Sequence, residues 1–199
     1  MPSGTTMPAM PTATERLPCI GVVLAGGQST RMGRDKALLD WRGRPLLERQ
    51  LDALRAAGVD EARVSGDRHG YRGIADAQPG LGPLGGLAAI AGTVAGDADL
   101  VVIPVDMPLL GAALLGRLRT EQPLARGLRC AGHVLPMRLR LDTESRGLLA
   151  ALLREREPRR RSLRALQQAL DCAEVALAAD EAAQLADCNT EASWDEVSR

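Results

Sequence analysis

Two short apolar runs constrain the fold most: CIGVVL at 19–24 and DLVVIPV at 99–105. Neither alternates polar with apolar residues, so each suits a strand buried on both faces rather than one with a wet side. Between them, RPLLERQLDALRAAGV places Leu46, Leu47, Leu51 and Leu54 at helical spacing, with Pro45 suited to a first turn and Gly58 to a stop. A second strand is predicted at 62–65, then a glycine- and proline-rich loop, DAQPGLGPLGG (76–86), and a small-residue helix in LAAIAGTVAG. Strand and helix alternating over the first 120 residues imply parallel strands joined by right-handed crossovers, hence an α/β fold with a mostly parallel sheet. Downstream, the pattern predicts a helix at 111–121, strands near 127–130 and 134–141, helices at Ser145–Arg154 and Ser162–Leu170, and a strand near 172–177. NTEASWDEV reads as a terminal helix capped by Asn189 or Thr190, and there is no internal repeat.

Length and composition narrow the setting. At 199 residues the chain can bury a core of its own, and residues 19–199 are expected to form one domain. With no Phe and 2% aromatics, that core must come from Leu, Val, Ile, Met and Ala. Lys+Arg and Asp+Glu balance at 25 each, which argues against a nucleic-acid or membrane-surface binder, since both need a field of one sign. No apolar run approaches the roughly 20 residues that span a bilayer. Cys19, Cys130, Cys172 and Cys188 are scattered without zinc-site spacing, as expected of reduced thiols in a cytoplasmic protein. Residues 1–18 carry no hydrophobic segment and read as a disordered extension rather than a signal peptide. His69 and His133 stand apart from other chemistry-bearing residues and read as structural.

In parallel sheets of this kind ligands sit beyond the carboxyl ends of the strands. Two such ends carry suggestive residues. After Val23 comes LAGGQSTRMGRDK, either an exposed basic turn or an anion cradle in which Gly26 and Gly27 free the backbone to present amides and Arg31 and Lys36 add full charges. The glycine spacing matches neither the dinucleotide fingerprint nor the P-loop, which disfavours a dehydrogenase and a P-loop kinase. After Val105 comes Asp106, a carboxylate at the end of a buried strand. It is either a turn or cap residue or an acid holding magnesium against phosphates. The basic run REREPRRRSLR (154–164) is either a solvated helix face or a contact for a phosphate-bearing substrate.

Taken together, GVVLAGGQSTRMGRDKALL, PGLGPLGGL and VVIPVDMPLL resemble the molybdenum cofactor guanylyltransferases, a branch of the nucleotidyltransferases related to sugar-nucleotide synthesising enzymes. The resemblance spans about residues 20–199 and is strongest in the first half. It implies a three-layer α/β/α fold with a mostly parallel Rossmann-like sheet, of the nucleotide-diphospho-sugar transferase type. It also implies nucleotide contacts at Leu24, Ala25, Gly26, Lys36, Ser65 (where Asn is more usual), Asp76 and Asp106. Arg31, Lys36 and Asp106 take the catalytic roles, magnesium is the cofactor, and Asp106 and Asn189 are its ligands. Arg159–Leu163 corresponds loosely to the molybdopterin side.

The implied reaction is attack of the terminal phosphate of Mo-molybdopterin on the α-phosphorus of GTP, giving molybdopterin guanine dinucleotide and pyrophosphate. A phosphate nucleophile is already anionic, so the chemistry needs positioning and charge neutralisation rather than a Ser/His/Asp set. The implied setting is cytoplasmic, with a monomer or weak homo-oligomer making transient contacts with molybdoenzymes or cofactor-biosynthesis proteins and binding neither nucleic acid nor membrane. The rival readings are the same chemistry with CTP and molybdopterin or with a nucleotide and a sugar phosphate, and a nucleotide-binding module without turnover.

Overall fold

The computed structural model describes residues 16–26, 35–78, 80–189 and 193–194. Its main sheet has six strands: β1 (Cys19–Leu24), β4 (Glu61–Ser65), β5 (Ala98–Pro104), β6 (Gly127–Cys130), β7 (Met137–Leu141) and β8 (Ala173–Val175). They lie in the order β4-β1-β5-β7-β6-β8. All run the same way except β7, which is antiparallel to both β5 and β6. The reversal has a simple cause. β6 and β7 are joined only by residues 131–136, whereas a parallel pair needs a crossover of a dozen residues or more.

The uninterrupted apolar character of β1 and β5 follows from helices on both faces. Cys19, Val23, Val101 and Ile103 pack toward α1 (Leu46–Ala56) and α3 (Ala112–Thr120) through Leu47, Leu51, Leu54, Leu114, Leu115 and Leu118. Ile20, Val22, Leu24, Leu100 and Val102 face α2 (Gly82–Gly92), α4 (Thr143–Leu153) and α5 (Leu163–Ala169). The result is the three-layer α/β/α arrangement. Gly21 lets α1 sit close: a Cβ there would lie 2.9 Å from Leu54 Cδ1.

Both strands match their sequence boundaries within one residue, and α1, α3 and α5 fall where their periodicity puts them. Elsewhere the structure differs. The glycine-rich segment is a loop only as far as Leu81, because α2 starts at Gly82 with Pro83 in its first turn, where a missing N–H costs nothing. Asp40–Trp41 (β2) and Arg44–Pro45 (β3) form a small hairpin turned by Arg42 and Gly43, both at positive φ. Ala179–Ala183 forms a short α6. The basic run lies mainly in the connection between α4 and α5, with Arg156–Arg160 exposed, rather than along one helix face. Of the expected terminal helix, only 193–194 are described, and they are helical.

Candidate active site

β1 is the switch point of the sheet. Through α1 the chain leaves β1 to one side and reaches β4; through α2, on the opposite face, it returns to β5 on the other side. The crevice beyond the carboxyl ends of β1 and β5 is where such a sheet binds ligands. The two segments singled out by sequence leave from those neighbouring ends. Leu24 pairs with Pro104, and Val105 N–H donates to Leu24 O at 3.2 Å.

Lys36, in a 3-10 turn (Lys36–Leu38), turns its ammonium toward Asp106 Oδ2 at 3.1 Å and Asn189 Oδ1 at 2.5 Å. Both members of the Lys36–Asp106 pair are mostly buried, at 15% and 20% side-chain exposure, so solvent screens them only in part. Asn189 is brought in by the C-terminal segment, whose Cys188 N–H donates to Asp106 O at 2.8 Å. Three residues far apart in sequence thus share one point, as expected for Lys36, Asp106 and Asn189. Arg31 and Gly27 lie outside the described residues.

A second group sits at the end of β4. Ser65 is buried, its carbonyl accepts from Ala25 N–H at 3.0 Å, and Leu24 pairs with Ser65 across the ladder. The next residue, Gly66, has φ +110° and presses directly on Gly26: a Cβ would lie 2.8 Å from Gly26 Cα. Only glycine lets these two turns pass. Asp76 follows the bridge that joins Ile74 to Ser65. Its Oδ1 is buried without a hydrogen-bond partner, and burial pushes its carboxyl above the usual range. Gly86, in the second turn of α2, lets the helix close tightly on this corner: a Cβ there would collide with Ser65 Oγ and come within 3.4 Å of Asp76 Oδ1. Leu24, Ala25, Gly26, Ser65 and Asp76 therefore meet along one end of the sheet.

The residue types fit a divalent cation that is completed by substrate. Asp106 and Asn189 offer one carboxylate and one amide oxygen, both hard donors. Among the described residues no three His, Cys, Asp or Glu side chains cluster tightly enough to hold a metal themselves. Magnesium characteristically takes one or two carboxylates and draws its other oxygens from phosphates and water.

Sequence reasoning missed two supports. Arg68, in the turn after β4, donates twice to Ala25 O (2.9 and 3.2 Å) and pairs with Asp35. Asp35 in turn caps the turn that carries Lys36, accepting from Ala37 N–H at 3.1 Å. The chain's two tryptophans, Trp41 in the hairpin and Trp194 near the C-terminus, pack edge to face with centroids 5.6 Å apart. That contact ties residue 194 to the hairpin that follows Lys36, and the only hint in the sequence was two large rings in a chain with almost none.

A family model described as the MobA-like NTP transferase domain matches residues 21–173. A molybdenum cofactor guanylyltransferase from Xanthomonas euvesicatoria pv. vesicatoria (strain 85-10) is 50% identical over 92% of this chain and 96% of its own length. Among solved structures, the molybdopterin-guanine dinucleotide biosynthesis protein A of Archaeoglobus fulgidus superposes with a TM-score of 0.72 at 17% identity, over 90% of this chain and 96% of that one. A Mycobacterium tuberculosis H37Rv protein crystallised as a complex with manganese gives 0.65 at 20% identity, over 92% and 98%. At those identities the two structures speak for the fold alone. The family model and the near full-length relative go further: this chain belongs to the MobA-like NTP transferase family.

Proposed function

We propose that this protein is a molybdenum cofactor guanylyltransferase, transferring GMP from GTP to the terminal phosphate of Mo-molybdopterin. The observation that carries the reading is the meeting of Lys36, Asp106 and Asn189 at the carboxyl ends of β1 and β5. In the reaction an oxygen of the molybdopterin phosphate forms a bond to the α-phosphorus as the bond to the β-phosphate bridging oxygen breaks. Pyrophosphate leaves with the electron pair. Lys36 neutralises charge on the triphosphate, which lies against the turn of Leu24, Ala25 and Gly26, with Arg31 assigned to the same task. Asp106 and Asn189 hold the divalent cation, which we assign as magnesium; when bound, it withdraws charge from phosphate oxygens. No step requires a side-chain base. In keeping with that, His69 projects into solvent beside Asp67.

Guanine is favoured by Asp76. An unpartnered buried carboxylate oxygen is a costly feature unless a ligand donates to it, and guanine carries two adjacent donors on one edge, N1–H and the exocyclic amine. Cytosine offers only the exocyclic amine on its pairing edge. A cytoplasmic setting is supported by four unpaired thiols and by the lack, among the described residues, of any helix long and apolar enough to cross a membrane.

The test is pyrophosphate release with molybdopterin, magnesium and either GTP or CTP. The reading expects turnover with GTP and little with CTP; preference for CTP, or tight GTP binding without pyrophosphate, contradicts it. Asp76→Asn supplies a second, oppositely signed pair of readouts. The GTP preference falls by roughly ten-fold or more, the cost of leaving polar groups mismatched in a buried site. Thermal stability at neutral pH rises, because the folded state no longer carries a desolvated charge. The pH dependence follows from the sign of the shift. Asp76 titrates higher folded than unfolded, so the advantage of Asn is complete above the folded pKa and disappears as pH falls toward the unfolded value, where the wild-type carboxyl is itself neutral. Thermal melts of both proteins across the acidic range check this.

A further inference from the structure

Gln50 lies on the inner face of α1, one turn after Leu46 and one before Leu54, and is fully buried. Its Nε2 donates to Met107 O at 2.6 Å, while its Oε1 is buried with no partner. The neighbouring Arg49 donates through Nε to Pro108 O. Together with Cys188 N–H on Asp106 O, three successive carbonyls, those of Asp106, Met107 and Pro108, are each held by a donor from another part of the chain. A leucine at position 50 would fill the same place on the helix without a stranded amide oxygen, and the Met107 carbonyl would still accept from Leu110 N–H at 3.2 Å. The fold alone gains nothing from the amide that an apolar side chain would not supply better. What the amide does supply is a tie from α1 to the backbone immediately after Asp106, added to the local turn bond from Leu110 N–H.

We propose that Gln50, assisted by Arg49, is a positioning residue for Asp106. By anchoring the Met107 and Pro108 carbonyls it sets the direction in which the Asp106 carboxylate leaves the strand. The inference rests on the reading of Asp106 as the ligand of a metal–nucleotide complex. Magnesium and similar ions tolerate little departure from octahedral geometry, so a ligand on a loosened backbone binds them less well. Loss of an outer hydrogen bond to a metal site typically weakens it by 10–100-fold.

The test compares wild type, Gln50→Met and Asp106→Asn by thermal melting and by titration of the Mn2+·GTP complex, with free Mn2+ read by its electron paramagnetic resonance signal. Methionine keeps the length and apolar contacts of the side chain and removes both amide atoms. Gln50→Met should melt at or above the wild-type temperature yet bind Mn2+·GTP roughly ten-fold more weakly. Wild-type affinity in Gln50→Met, alongside loss in Asp106→Asn, overturns the positioning role and leaves the site reading intact. Weakening that only tracks a lowered melting temperature overturns it too, since that is the mark of a packing residue. Wild-type affinity in Asp106→Asn instead means that the site reading itself has failed. Should Gln50→Met not fold, Arg49→Met gives the same comparison at the Pro108 carbonyl: selective weakening supports the proposal and unchanged binding refutes it.

Discussion

Asp106→Asn should lower turnover by about a thousand-fold, or roughly 4 kcal/mol of transition-state stabilisation, while the protein remains folded. The substitution preserves shape and one oxygen but removes the carboxylate that pairs with Lys36 beside Asn189. A divalent cation then loses its charged protein ligand, and charge on the departing pyrophosphate goes uncompensated. Folding suffers little, because Lys36 keeps Asn189 as a partner and the Asp106 carbonyl stays bonded to Cys188 N–H. Steady-state pyrophosphate release together with circular dichroism separates the two effects. Turnover within ten-fold of wild type would remove Asp106 from the chemistry.

Lys36→Met should act differently. Turnover falls by about 10²–10³-fold, the usual cost of deleting one charged donor aimed at a developing anion. Nucleotide affinity falls with it. Affinity for Mn2+ alone should hold or increase, however, because the Lys36 ammonium occupies the oxygens of Asp106 and Asn189 that a cation would use. In the ligand-free protein Lys36 and the metal compete; with triphosphate present the lysine has phosphate oxygens to turn to. Mn2+ titrations with and without GTP read both signs in one preparation. Weaker Mn2+ binding in Lys36→Met without nucleotide would mean that the lysine supports the metal site rather than sharing it.

What the sequence disclosed and what it hid divide along physical lines. β1 and β5 were legible because burial on two faces leaves an unbroken apolar run, and α1 because burial on one helical stripe leaves a periodic one. α2 was half hidden, since glycines and Pro83 read as loop until Gly86 is seen to pack directly on Ser65 and Asp76. The two-residue strands of the β2–β3 hairpin are too short for any period. In the site, Lys36 and Asp106 carried local signals, a basic residue after a glycine turn and an acid after an apolar strand. Asn189 did not: it lies 153 residues from Lys36, and only family resemblance pointed to it. Arg68 and Gln50 work through backbone carbonyls, which have no sequence signature. The one trace of Gln50 was an amide on the stripe defined by Leu46, Leu47, Leu51 and Leu54.

The central claim is that the turn after β1, Lys36, and the Asp106–Asn189 pair surround a single triphosphate and its cation. Crystals grown with GTP and Mn2+ test it most directly through the anomalous scattering of the metal. The account predicts one peak about 2.1 Å from an Asp106 carboxylate oxygen, touching the triphosphate, with Lys36 Nζ on phosphate and the base against Asp76. An ordered nucleotide whose metal lies away from Asp106 would contradict it. So would a triphosphate bound instead in the groove outside β4, among Arg55, Arg63 and Tyr71.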